Sequence, residues 1–148
     1  MININPANFE HLTELKSMMA ALYREDPGTF EFSPNKICNT LSFFTSHPTN
    51  GRILTINLND TIIGYAILVY FWSNEYGGFV MFIDEFFIKP EYRNRGFGTK
   101  FFSQLPEFQP PNCVAWCLEH TADNTGASRL YHRLGFAPQT NATLIKLL

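Results

Sequence analysis

Between Arg52 and Ile88 the chain carries three runs rich in β-branched and aromatic residues, 52–58, 61–72 and 79–88. Only Asn59-Asp60 and Ser73-Asn74-Glu75-Tyr76-Gly77-Gly78 separate them. Connections that short join antiparallel neighbours, because a parallel pair needs a crossover of about a dozen residues or more. The spacing therefore predicts an antiparallel meander whose last strand reaches Ile88.

The flanks read as helices with two further strands. Ile2 and Ile4 alternate with Asn3 and Asn5 before Pro6, the pattern of a short first strand. Asn8 then caps a helix in which Leu12, Leu15, Met19 and Leu22 recur every three or four residues, ending near Arg24. Glu25-Asp26-Pro27-Gly28 breaks it, and Phe30 and Phe32 follow in a loop. Ser33-Pro34 opens a second helix that runs to about Ser46. Past the meander, 99–105 continues a helix begun at the glycines, 113–118 reads as a strand parallel to 79–88, and 124–134 is a last helix stopped by Gly135. Residues 144–147 predict a closing strand. With no repeat, low-complexity tract or linker, residues 1–148 predict one domain of mixed α/β class.

Composition sets aside several kinds of function. A net charge of -2 argues against general nucleic-acid binding, which needs an excess of Lys and Arg. Cys38, Cys113 and Cys117 form no CxxC pattern, and His11, His47, His120 and His132 are not in ligand spacing, so no metal is expected. The cysteines read as buried thiols of a reducing compartment. The N-terminus has no basic region followed by a long apolar run, and no apolar segment reaches membrane-spanning length. The expectation is a cytoplasmic protein with no membrane or nucleic-acid partner.

The chemistry concentrates where the meander ends. Asp84-Glu85-Phe86-Phe87-Ile88 puts two acids on a strand, and Arg93-Asn94-Arg95-Gly96-Phe97-Gly98 follows as a basic, glycine-bearing turn. Backbone amides in such a turn, with a helix N-terminus behind them, suit a phosphate. The form R-x-x-G-x-G lacks the third glycine of a dinucleotide fingerprint and the Lys-Ser/Thr of a nucleotide P-loop. Downstream, Asn124, Ala127, Tyr131, Gly135 and Phe136 make N-x-x-A-x-x-x-Y-x-x-x-G-F. In this order, with one strand between them, the two segments resemble the acetyl-coenzyme A (acetyl-CoA) binding motifs of the GNAT superfamily of N-acetyltransferases. The element order is similar to that family over essentially the whole chain. Ile83 to Ile88 with Tyr92-Arg93 most resembles the diamine (spermidine/spermine) and thialysine acetyltransferases, although the Asp84-Glu85 pair stands in reversed order.

The resemblance implies acetyl-CoA as cofactor and names its contacts. The amides of Asn94, Arg95, Gly96, Gly98 and Thr99, in the turn that also holds Phe97, cradle the pyrophosphate, with Arg93 at its mouth. Phe86 and Ile88, flanking Phe87, pair their backbone groups with the pantetheine arm, which requires 79–88 and 113–118 to separate at their C-terminal ends. Asn124 meets the arm, Ala127 belongs to the same motif, and the Tyr131 hydroxyl sits near the sulfur. The related enzymes are commonly homodimers, so the resemblance admits a homodimer here.

An alkyl amine with a pKa near 10.4 is neutral about once in a few thousand molecules at pH 7, a handicap of roughly 4 to 5 kcal/mol. A carboxylate relieves it by accepting the proton: Asp84 first by resemblance, with Glu85 and Glu119 as alternatives. Strand alternation puts Asp84 and Glu85 on opposite faces. Tyr131 supplies a proton to the departing thiolate, and transfer is direct, without an acyl-enzyme. The resemblance implies that Tyr23, Glu25, Asp26, Phe30 and Phe32 after the first helix, and Trp72, Glu75 and Tyr76 before the central strand, border the acceptor together with Asp84 and Glu119, acids and rings that suit a cation. The expected acceptor is a primary amine on a small cationic molecule: a polyamine, a diamine or an amino-acid-like amine. A protein N-terminus or lysine is the alternative, and a non-catalytic acyl-CoA-binding module a third reading.

Overall fold

A computed structural model of the chain describes residues 1–28 and 31–148. Strands β1 (Ile2–Pro6), β2 (Gly51–Leu58), β3 (Thr61–Ser73), β4 (Gly78–Ile88) and β5 (Cys113–Leu118) form one sheet in that spatial order. The first four are antiparallel neighbours, and β5 runs parallel to β4. The meander closes through the short turn expected: Asn59 takes a left-handed φ of 53°, which asparagine tolerates better than most residues. At Gly64 the two central strands approach so closely that an added Cβ would lie 2.3 Å from the Phe87 carbonyl oxygen.

Helices α1 (Leu12–Glu25) and α2 (Pro34–Ser46) cover one face of this sheet. Leu15, Met18 and Met19 of α1 meet Ile37 and Leu41 of α2 over Ile53, Tyr65, Ile67 and Phe87. Helices α3 (Phe97–Gln104) and α4 (Thr125–Arg133) cover the other face, where Phe97, Phe101, Phe102 and Tyr131 pack on Leu54, Ile56, Leu68, Met81 and Ile83. Each fully buried Leu, Ile or Phe contributes about 1.5–3 kcal/mol, so both layers are anchored by their apolar stripes. Asn8 caps a short 3-10 turn that precedes α1, its Oδ1 accepting from Glu10 N at 2.9 Å while His11 Nδ1 accepts from Asn8 N at 3.0 Å.

Two expectations change. Residues 144–147 form no strand, and Leu144 and Ile145 are 92% and 71% exposed. An apolar run is a strand only when a neighbour takes its backbone groups, and none lies beside this one among the described residues. β1 ends at Pro6 as expected, on the sheet edge where its missing N–H is harmless. The three cysteines are unpaired and half-buried, not enclosed.

Two irregularities of β4 prepare the site. Its pairing with β5 runs from Phe79↔Cys113 to Ile83↔Leu118 and stops, while β4 continues to Ile88 on its β3 side. The register with β3 also slips: Ile67 faces Glu85 and Leu68 faces Ile83, leaving Asp84 as the extra residue of a β-bulge.

Candidate active site

Where β5 ends, β4 keeps one edge free. Lys89 donates its amide to Ile63 O at 2.9 Å, so in this antiparallel pair Glu85, Phe87 and Lys89 bond β3. The backbone groups of Phe86 and Ile88 therefore face the gap. Their side chains fix the floor: Phe86 stacks on Phe101 at 4.8 Å between ring centroids and meets Phe102 edge-on at 5.3 Å. The gap opens into a cleft of about 440 Å³, walled by Phe86, Phe87 and Ile88, by the turn after β4, and by α4.

The turn has the backbone an anion needs. Asn94 and Gly96 both take left-handed conformations, with φ of 58° and 78°. Alternating handedness turns successive N–H groups toward one side. Gly96 is also the N-cap of α3 and has no side chain to satisfy the first amides of that helix. Asn94, Gly96, Phe97, Gly98 and Thr99 all line the cleft. A Cβ on Gly98 would stand 2.9 Å from Leu130 Cδ2, so α4 closes directly on the turn. The glycines, the free β4 edge and the size of the cleft fit a phosphate-bearing, strand-like cofactor arm. Arg93 points inward, with Nε donating to Ile88 O at 2.7 Å, Nη2 donating to Glu25 Oε2 at 2.7 Å, and the guanidinium over the Phe87 ring at 5.2 Å. Arg95 is absent from the lining, its guanidinium resting over Tyr92 and Phe97.

The bulge breaks the strand's alternation between Ile83 and Glu85. Strict period two puts Ile83 and Glu85 on one face. Instead Ile83 packs under α3, whereas Glu85 reaches the α1/α2 side, where Tyr65 Oη donates to its Oε2 at 2.6 Å and Tyr23 Oη to its Oε1 at 3.0 Å. Desolvation raises the pKa of Glu85, partly offset by the two phenolic hydrogen bonds. Asp84 is open to solvent, and no hydrogen bond engages its carboxylate among the described residues. Its pKa is also raised, first by desolvation and then by the carboxylate of Glu119, an exposed residue just past the end of β5. Both acids push the Tyr23 phenol up to about 12, after its own desolvation.

On the opposite wall, Asn124 caps α4, its Oδ1 accepting from Ala127 N at 3.2 Å while Nδ2 donates to Asp26 Oδ2 at 3.3 Å. Tyr131 is 7% exposed, lines the cleft, and is pushed up to about 12 by burial and then by Asp26. The end of α1 thus touches both walls, Glu25 through Arg93 and Asp26 through Asn124.

The acceptor candidates divide. Tyr23 and Asp84 stand with Glu85, and Glu119 with Asp84, near the end of the β4–β5 pairing, whereas Glu25 and Asp26 hold Arg93 and Asn124 along the cleft. Phe32 sits by Tyr23, with ring centroids 6.0 Å apart, and Phe30 falls outside the described residues. Trp72, Glu75 and Tyr76 stand at the β3–β4 turn, at the start of β4 and roughly 20 Å along the strand from Asp84. None of the three lines the cleft, and Trp72 packs edge-on against Phe79. The sequence reading missed Tyr65, whose strand pattern marks only a core residue, and Arg129 and Arg133, two cleft-lining cations whose spacing of four on a helix was the available signal.

Comparison with known proteins identifies the family and the fold. The sequence profile of the acetyltransferase (GNAT) family matches residues 15–136. No curated protein matches the chain by sequence. Among solved structures, a possible acetyltransferase from Clostridium difficile 630 superposes with a TM-score of 0.81 at 18% identity, covering 100% of this chain and 99% of that one. AAC(6')-Iy, in complex with the bisubstrate analog CoA-S-monomethyl-acetylneamine, gives 0.79 at 16% identity with 100% and 99% covered. An aminoglycoside acetyltransferase from an uncultured soil metagenomic sample gives 0.72 at 10% identity with 99% and 96% covered. At these identities the structures share the fold with this chain.

Proposed function

The chain belongs to the GNAT acetyltransferase family and is an acetyl-CoA-dependent N-acetyltransferase, and from that premise we propose that its acceptor is a primary amine on a small cationic molecule. The observation that carries the proposal is the acid cluster at the parting of β4 and β5. Asp84 sits at the bulge, Glu119 raises its pKa, and Glu85 lies behind them between two phenols. A site with that much negative charge and aromatic surface favours a cation. Two of the structurally similar proteins carry names that place aminoglycosides or a neamine-derived analog with them, small polycations in the same chemical class.

Acetyl-CoA bound in the cleft supplies a thioester carbonyl open to attack by a neutral amine. Phe86 and Ile88 hold its arm through the free edge of β4, Asn94 to Thr99 hold its pyrophosphate, and Asn124 and Ala127 face it from α4. Asp84 takes the ammonium proton: its carboxylate has no competing hydrogen bond, and its raised pKa strengthens it as a base. Glu85, with an acceptor bond on each oxygen, is the anchored anion. Tyr131 keeps its phenolic proton throughout the neutral range and delivers it to the leaving sulfur. Transfer is direct.

A thiol-release screen over diamines, polyamines, aminoglycosides, amino acids and peptides tests the reading. Turnover with small polycationic amines is the expected result. Turnover with peptides but not free amines overturns the acceptor class, and cofactor binding without turnover overturns catalysis. Homodimer formation carries over from the family likeness as a further expectation, and cytoplasmic residence from the N-terminus and the unpaired cysteines.

A further inference from the structure

Arg129 and Arg133 take no part in the reading above. Both line the cleft from α4, one turn apart, and both are exposed. No ion pair or hydrogen bond engages either guanidinium among the described residues. In a chain of net charge -2, two unengaged cations on one wall of one cleft stand apart from the general surface. Leu130 between them packs on Gly98, which holds this side of α4 against the amide turn.

The cofactor brings two kinds of phosphate. Each pyrophosphate phosphorus carries about one charge and is met by backbone amides at a helix start, as the turn provides. The ribose phosphomonoester carries about -1.5 to -2 near neutral pH and calls for full cations. Residues four apart on a helix have Cβ atoms about 5–6 Å apart, and two guanidinium forks at that spacing can each give parallel hydrogen bonds to one phosphate.

We propose that Arg129 and Arg133 form a phosphomonoester clamp that makes this protein select CoA over 3′-dephospho-CoA. The clamp rests on the cofactor reading above. Calorimetric titration of both ligands into wild type, Arg129→Ala/Arg133→Ala and Arg129→Lys/Arg133→Lys tests it without relying on turnover. Wild type should prefer CoA by about ten-fold or more, from charge-assisted contacts screened at an exposed site. The double alanine variant should lose that preference by weakening CoA alone, and the lysine variant should keep part of it. The melting temperature of the unliganded variants should not move, since both side chains are exposed.

Equal affinity of wild type for the two ligands overturns the clamp. So does a double variant that weakens both ligands alike, which would assign the arginines to the pyrophosphate. A wild type that binds neither ligand overturns the cofactor reading and the clamp together.

Discussion

Tyr65 donates its phenolic hydrogen to Glu85 Oε2 at 2.6 Å across the β3–β4 pair, with Tyr65 itself fully buried. A hydrogen bond to a buried charge contributes about 1.5–3 kcal/mol. Tyr65→Phe should therefore lower unfolding stability by that order in urea denaturation. It should also raise the Glu85 pKa further, because the lost bond favoured the ionised form. Unchanged stability would mean that Glu85 is protonated in the native protein and held by something other than its charge.

Asp84→Asn separates chemistry from stability. Thiol release should fall about 10²-fold or more if Asp84 is the base. The melting temperature at pH 7 should rise. The folded pKa of Asp84 lies above its unfolded value, so the folded state favours the neutral form. Stability falls as pH climbs from the unfolded pKa through the folded one, and at neutral pH the carboxylate weakens the fold. A variant that is both fully active and no more stable would remove Asp84 from the site.

Tyr131→Phe should lower kcat by about 10²-fold while leaving the CoA dissociation constant nearly unchanged, the signature of a group that moves a proton. With the phenol pushed up to about 12, the wild-type rate should show no basic limb from Tyr131 across the neutral range. A kcat loss matched by an equal loss of CoA affinity would make Tyr131 a packing residue.

The glycines give a graded series. Gly96 has φ of 78°, and an alanine there costs about 1–2 kcal/mol although nothing blocks its methyl within 4 Å. Gly98→Ala meets only the tip of Leu130, which can rotate, so its stability cost should be smaller. Gly64→Ala drives a methyl to 2.3 Å from the Phe87 carbonyl and should be the worst of the three, since backbone on both sides must move. Thermal unfolding of the three variants orders them.

Most elements were legible in the sequence because they depend on local pattern. The strand runs, the Asn59 turn, the Ser33-Pro34 helix start and the Gly96 N-cap lie within a residue or two of expectation. The splay of β4 from β5 was legible only through family likeness, since no local rule ends a pairing at Ile83. The bulge at Asp84 was not legible, because alternation reads the same until the partner strand is known. The bond between Tyr65 and Glu85 links positions on two strands and depends on that register. Trp72, Glu75 and Tyr76 lie off the cleft, at the turn that opens β4, and the hairpin alone already implied that distance: a turn before residue 79 lies at the opposite end of the strand from Ile88.

In the complex proposed above, the unpaired edge of β4 past Ile83 makes the cofactor a part of the protein's architecture. The amides of Phe86 and Ile88 face a gap that a longer β5 would fill in an ordinary sheet, and a polyamide ligand arm would supply what that strand does not. Deuterium uptake at these two amides should then be rapid in the free protein and slow once CoA is bound. Ligand at a hundred times its dissociation constant adds about 2.7 kcal/mol to the folded state by mass action alone. The cellular lifetime of this chain should therefore follow the combined pool of the acetyl-CoA that its reaction consumes and the CoA that it releases.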